Sequence, residues 1–269
     1  MSETKLERRF VKDPTEATET PAPSWRSLYR ASSVLFILTG IIWVAVWRMT
    51  RLLYFSGVPV DPTAYLQLIS KNQALAAGSW SLWIVADLLV VPPIVSLYLI
   101  LRNTNKTLAL IGTALALLFP VFDISVSELN SLVLVSLAQG YSSATTTAAQ
   151  APYSAAATYG LALLPLETFM SYALSIGLFV LSVAMLNSFF GRSTAIFGII
   201  TMGMATVGSV SALIPSSLAL GLLFFVSLPA AALWLIVVGA QLYRHMRYQE
   251  ISALSKQVLC FFPGQPLPR

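Results

Sequence analysis

Six long apolar stretches follow one another along the chain, separated by more polar segments. They cover about residues 29–47, 79–101, 107–138, 160–187, 194–213 and 217–243. An α-helix needs about 20 mainly apolar residues to cross the hydrocarbon core of a bilayer, and each stretch is that long or nearly so. The pattern predicts an all-α fold, a polytopic integral membrane bundle of six transmembrane helices.

The second and third stretches are joined by a short polar link at 102–106, so these two spans are expected to form an antiparallel hairpin. Asp61 followed by Pro62 is typical of a helix start and predicts a short amphipathic surface helix over about 62–72. The small and polar residues of 140–158 predict a flexible loop.

The two ends of the chain differ in composition from the apolar core. Residues 1–25 are rich in charge, Thr and Pro and predict a disordered cytoplasmic tail. The membrane domain is expected to cover 26–243. Residues 244–269 form a second cytoplasmic tail, which we expect to be partly an interfacial helix because its apolar residues fall on one helical face.

The amino-acid composition also indicates that lipid surrounds most of the chain. Hydrophobic residues make up 57% and charged residues only 10%, against about 25% charged residues in a soluble domain. The net charge of +5 does not indicate nucleic-acid binding, since the basic residues are scattered near the ends of apolar stretches. Thirteen of the 16 lysines and arginines fall on the side that holds both termini, which predicts cytoplasmic termini in a plasma membrane.

Six charged residues lie in or beside the spans, in what the topology makes the outer half of the membrane. At about 1.5 Å per residue, Asp87 is roughly 12 Å below the outer surface, and Glu128 is near that surface. A charge in a span costs at least about 2.5–3.5 kcal/mol, so it is expected to face the bundle interior and to find a partner. The candidate site residues are Asp87, Asp123, Glu128, Glu167, Arg48 and Arg51.

Two interpretations of these charges stay open. They could form an outward-opening polar pocket that binds a cation, a basic ligand or a proton. Alternatively, they could be buried ion pairs, with Arg48 or Arg51 bound to one acid, that fix how the helices pack. Asp87 is the strongest candidate for a buried acid because apolar residues flank it on both sides.

Enzyme chemistry finds little support in the sequence. The single histidine, His245, lies in the basic tail, which excludes a histidine-rich metal site and the HExxH zinc motif. The glycine-rich phosphate-binding motifs are absent, and neither Asp87 nor Asp123 follows the Gly-x-Gly pattern of intramembrane aspartyl proteases. We therefore expect a non-enzymatic protein without a cofactor or a resident metal ion.

The expected function is a membrane module whose acidic pocket binds a small ligand, a lipid or a partner protein. A small proton- or cation-coupled secondary transporter is the alternative, because buried acids accompany prolines inside several spans. No internal repeat is visible in support of a transporter.

The fifth span carries a face of small residues. Thr201, Ala205 and Ser209 recur every four residues, beside Gly208 and Ala212. Small residues at this spacing let helix backbones approach closely. The face predicts packing within the chain, and a homodimer through this span is the alternative.

The letters from Asp87-Leu88-Leu89 through LYLILRNTNKTLAL, at 97–110, resemble a family of prokaryotic six-span proteins, domain of unknown function 4386. Arg30-Ala31-Ser32 before the first span and Phe190-Gly191-Arg192 before the fifth fit the same layout. The resemblance covers about 28–243. It implies an uncharacterised integral membrane protein of a bacterium or archaeon, and it brings no catalytic residues.

Overall fold

The computed structural model describes residues 25–53, 61–210 and 218–261, with side chains described outside 164–170, 218 and 253–261. Within these residues every regular element is a helix. A π-helical segment, Asp123–Glu128, joins the third and fourth helices. The α-helices are α1 (Arg26–Leu53), α2 (Pro62–Lys71), α3 (Gln73–Phe122), α4 (Leu129–Ser143), α5 (Thr147–Met185), α6 (Arg192–Ser209) and α7 (Leu218–Phe261).

Three helical stretches of the described chain are long and apolar enough to cross a membrane, namely Arg26–Leu53, Gln73–Ser143 and Ala219–Ser252. Ser171–Met185 is a shorter apolar stretch. The all-helical architecture is confirmed by these elements. The number of spans and the side of the termini stay predictions, and the proposed N-terminal tail lies almost wholly outside the described residues.

Helix α3 is a hairpin of two arms, 73–104 and 106–122. Asn105 has non-helical torsion angles (φ −150°, ψ 94°), and its side chain accepts a hydrogen bond from the Leu108 amide at 3.0 Å. Asp87 and Asp123 have carboxyl oxygens within 4.8 Å of each other, although 36 residues of straight helix would separate them by about 54 Å. The chain therefore reverses at the polar link that the sequence predicted.

Helix α2 confirms the predicted short helix. The Asp61 side chain accepts a hydrogen bond from the Ala64 amide at 2.7 Å, and Pro62 occupies the first helical position, where no amide donor is needed. Tyr65, Leu66 and Ile69 are buried and pack against α4 and α5. The apolar face of α2 is thus buried against the protein itself.

The predicted flexible loop at 140–158 is wrong. Helix α4 continues to Ser143 and α5 already begins at Thr147, so only three residues separate them. Thr146 caps α5 by accepting a hydrogen bond from the Ala149 amide at 3.2 Å. The stretch is rich in alanine, which has the highest helix propensity and decides the structure once a cap is in place.

Helix α7 runs without interruption past residue 243, where the sequence placed the start of a separate tail. His245 is half-buried, and its ring stacks on Phe189 with the centroids 3.9 Å apart, so it belongs to the packed part of the molecule. Arg30 of α1 and Glu250 of α7 form an exposed ion pair at 2.5 Å. The side chains beyond Ser252, including those of the proposed interfacial face at 254 and 258, lie outside the described residues.

Close helix contacts hold the bundle together. Helix α1 packs on α7 and α3, while α5 packs on α3 and α6. At Gly40, an added Cβ would lie 2.6 Å from the Ala232 carbonyl oxygen, so only glycine allows this approach. The small face of α6 is used within the chain, because Gly208 abuts the backbone of Phe224 and the Ser209 hydroxyl lies 3.1 Å from that of Ser171.

Candidate functional site: a carboxyl cluster beside a tryptophan cavity

Two acids of the site belong to the π-helical segment Asp123–Glu128. Pro120 precedes it and has no amide hydrogen to donate, so the regular α-helical hydrogen-bond ladder is already weakened there. A π-helix links residue i to residue i+5, and this is the spacing of Asp123 and Glu128. Short π-helical segments inside α-helices are frequent at functional sites because they redirect side chains.

Asp87 from the first arm of α3 joins these two acids to form a carboxyl cluster of Asp87, Asp123 and Glu128. Their carboxyl oxygens all lie within 4.8 Å of one another, and each residue is at most 3% exposed. Carboxyl groups this close and this buried cannot all be ionised without a compensating positive charge. Glu128, which the sequence placed near the outer surface, is turned inward by the π-helical segment.

The other predicted site residues have different environments. Arg48 is exposed, and Arg51 places its guanidinium 2.9 Å from the centroid of the Phe225 ring. Within the described residues neither arginine forms an ion pair with an acid, so the predicted Arg–acid bridge is not present there. The side chain of Glu167 lies outside the described residues.

A cavity of about 350 Å³ lies between α1, α3, α5 and α7, next to the carboxyl cluster. Asp123 reaches both the cavity and the cluster, whereas Asp87 and Glu128 do not line the cavity. Four of the six tryptophans of the chain form its walls, and we name it the tryptophan cavity. Its lining residues are Trp43, Trp47, Thr50, Arg51, Trp80, Trp83, Phe119, Asp123, Ser171, Leu174, Phe224, Phe225 and Leu228.

Five polar atoms of the lining residues are buried and have no hydrogen-bond partner among the residues that the structure describes. Four are donors, the indole Nε1 atoms of Trp43, Trp47 and Trp80 and the Oγ1 atom of Thr50, and the fifth is Oδ1 of Asp123. Buried polar groups are nearly always hydrogen-bonded, and leaving one unsatisfied costs about 1–3 kcal/mol. Their concentration on residues that line one cavity favours a polar occupant there.

The sequence pointed to the acids but missed the aromatic walls. Trp43 and Trp47 are four residues apart and therefore share a helix face, as do Trp80 and Trp83, three residues apart. This spacing was the available signal, but tryptophans near span ends usually form the aromatic belt at the membrane surface. Only the packing of α1 against α3 shows that the two faces line one cavity.

The chain matches no protein-family model, no curated protein and no solved structure. The resemblance to domain of unknown function 4386 therefore stays a prediction.

Proposed function

We propose that this chain is a six-span plasma-membrane protein of a bacterium or archaeon, related to domain of unknown function 4386, with both termini in the cytoplasm. Its spans would be α1, the two arms of α3, α5, α6 and α7. The reversal at Asn105 and the excess of basic residues on the side of the termini support this topology. The proposed activity is non-enzymatic binding of a small amphipathic ligand in the tryptophan cavity.

The topology predicts which turns a membrane-impermeant maleimide reaches in intact cells. In a Cys260→Ser background, Ser142→Cys in the turn before α5 should be labelled from outside. Asn103→Cys in the α3 link should be labelled only after permeabilisation. Both positions are exposed, so accessibility alone does not separate them. Labelling of Asn103→Cys in intact cells would contradict the proposed orientation.

The observation that carries the function is that five buried polar atoms without a partner among the described residues belong to residues that line one cavity. A purely structural cavity in a helix bundle would be lined by apolar groups, because unpaired polar groups destabilise the fold. Ligand sites combine mainly apolar and aromatic walls with a few polar groups that fix orientation. The tryptophan cavity has this composition, and its volume accommodates a molecule with a single aromatic ring.

The binding function predicts saturable quenching of tryptophan fluorescence by a brominated ligand. The probe is 3-bromobenzyl alcohol, added to the protein in phosphatidylcholine nanodiscs. Thr50→Phe fills part of the cavity, and the Thr50 hydroxyl has no hydrogen-bond partner among the described residues that the substitution would remove. The variant should raise the half-saturation concentration about tenfold, which corresponds to a loss of about 1.4 kcal/mol in binding free energy. Leu52→Phe is the control, because Leu52 is 65% exposed two residues away.

Equal, non-saturable quenching in both variants would show that the probe reaches the tryptophans only through the lipid. The cavity would then hold no more than water, and the binding function would be wrong.

A proton-coupled transporter is the second candidate function. The observation in its favour is that Asp123 belongs to both the cavity and the carboxyl cluster, so ligand and proton can compete for one carboxyl group. A transporter in proteoliposomes would accumulate the probe when a pH gradient is imposed, whereas a binding module would not.

A further inference from the structure

We propose that the ligand of the tryptophan cavity is an organic cation, an amphipathic ammonium compound whose charge lies against Asp123. The proposal rests on the binding function above and specifies the chemical class of the ligand. Three features of the described residues support it: the sign of the buried charge, the aromatic walls, and the position of the nearby arginine.

The first feature is the excess of acid behind the cavity wall. Asp123 lines the cavity, and the carboxyl groups of Asp87 and Glu128 lie within 4.8 Å of its own. With three carboxyl groups in the cluster, protonation of one still leaves two that can ionise. In a buried, weakly screened environment, the remaining negative charge attracts a cation and repels an anion.

The second feature is the aromatic wall. A cation held near the face of Trp, Tyr or Phe is attracted by the ring quadrupole, and the interaction strengthens when water is excluded. The protein already contains such a contact at this site, since the Arg51 guanidinium lies over the Phe225 ring. Aromatic side chains around a positive group are the usual way in which proteins bind quaternary ammonium ligands.

The third feature explains why Arg51 does not reverse this preference. Arg51 lines the cavity but is exposed, whereas Asp123 is 3% exposed, and the charge of an exposed group is screened more than that of a buried one. The indole N–H groups of Trp43, Trp47 and Trp80 are donors that have no partner among the described residues. They suit an uncharged acceptor elsewhere on the ligand, such as a hydroxyl or ester oxygen. The site therefore fits an ammonium head with an apolar body and one neutral acceptor.

The test compares two probes of the same shape that differ only in charge. (3-Bromophenyl)trimethylammonium and its carbon isostere, 1-bromo-3-tert-butylbenzene, are titrated into protein in phosphatidylcholine nanodiscs, and tryptophan quenching is recorded. We expect the cation to bind at least about tenfold more tightly than the isostere. Asp123→Asn should remove this preference, and Glu128→Gln, which does not alter the cavity lining, should reduce it. Glu250→Gln, at the exposed ion pair, should leave it unchanged.

The outcomes separate the inference from the function on which it rests. Equal saturable binding of both probes overturns the cation assignment and leaves the binding function standing. Saturation by neither probe overturns both. A cation preference that survives in Asp123→Asn and in Glu128→Gln also overturns the assignment, because the charge would then be recognised elsewhere.

Discussion

Gly177→Ala should lower the free energy of unfolding by about 1–3 kcal/mol, the range typical of overpacked interiors. Gly177 lies where α5 crosses the second arm of α3. A Cβ at this position would lie 2.5 Å from the Ala116 amide nitrogen and 2.7 Å from the Gly112 carbonyl oxygen. Both atoms belong to backbone, so no side chain can rotate away and the two helices must separate. Unfolding by sodium dodecyl sulfate, followed by circular dichroism, measures the change.

The matched control is Gly203→Ala in α6. A Cβ there would meet only the Phe179 ring, at 3.8 Å and 4.0 Å, which is ordinary contact. Alanine is the better helix former by up to about 1 kcal/mol, so this variant should be neutral or slightly more stable. Equal destabilisation by the two substitutions would mean that the α3–α5 contact is looser than the structure has it.

Local sequence signals predicted the helices where short-range chemistry decides the outcome. Asp61-Pro62 fixes the start of α2, and the polar link around Asn105 fixes the reversal of α3. The signals failed where composition was ambiguous. Residues 147–158 are small and polar enough for a loop, yet their alanines favour helix once Thr146 provides the cap.

Only the charged residues of the site could be predicted from the sequence. Acids are rare in apolar stretches, so Asp87, Asp123 and Glu128 could be singled out from the letters alone. Their convergence to within 4.8 Å depends on the α3 hairpin and on the π-helical segment, and no sequence rule places a π-helical turn. The tryptophan cavity forms where four helices pack together. The spacing of residues within one segment cannot predict such a contact between segments.

Asp87→Asn should raise the thermal stability of the ligand-free protein, by about 1–3 kcal/mol in the free energy of unfolding. Crowded buried carboxyl groups repel one another or must be protonated, and a neutral side chain removes that repulsion. Each pKa unit of such repulsion corresponds to about 1.4 kcal/mol. The substitution keeps the size of the side chain, and the new amide group offers a donor to Asp123. If the carboxyl cluster instead holds the helices in place, the Asp87→Asn variant should be less stable than the wild type. Scanning calorimetry in nanodiscs decides between the two signs.

Asp61→Asn is the control for this substitution, because Asp61 is exposed and asparagine caps a helix as well as aspartate does. Its stability should equal that of the wild type. A gain in stability confined to Asp87→Asn, together with a weaker cation preference in the quenching assay, would mean that the cluster is kept at a cost to the fold. Functional sites commonly show this trade-off between stability and activity. The sign of the Asp87→Asn effect therefore separates a ligand-binding cluster from a structural one without knowledge of the natural ligand.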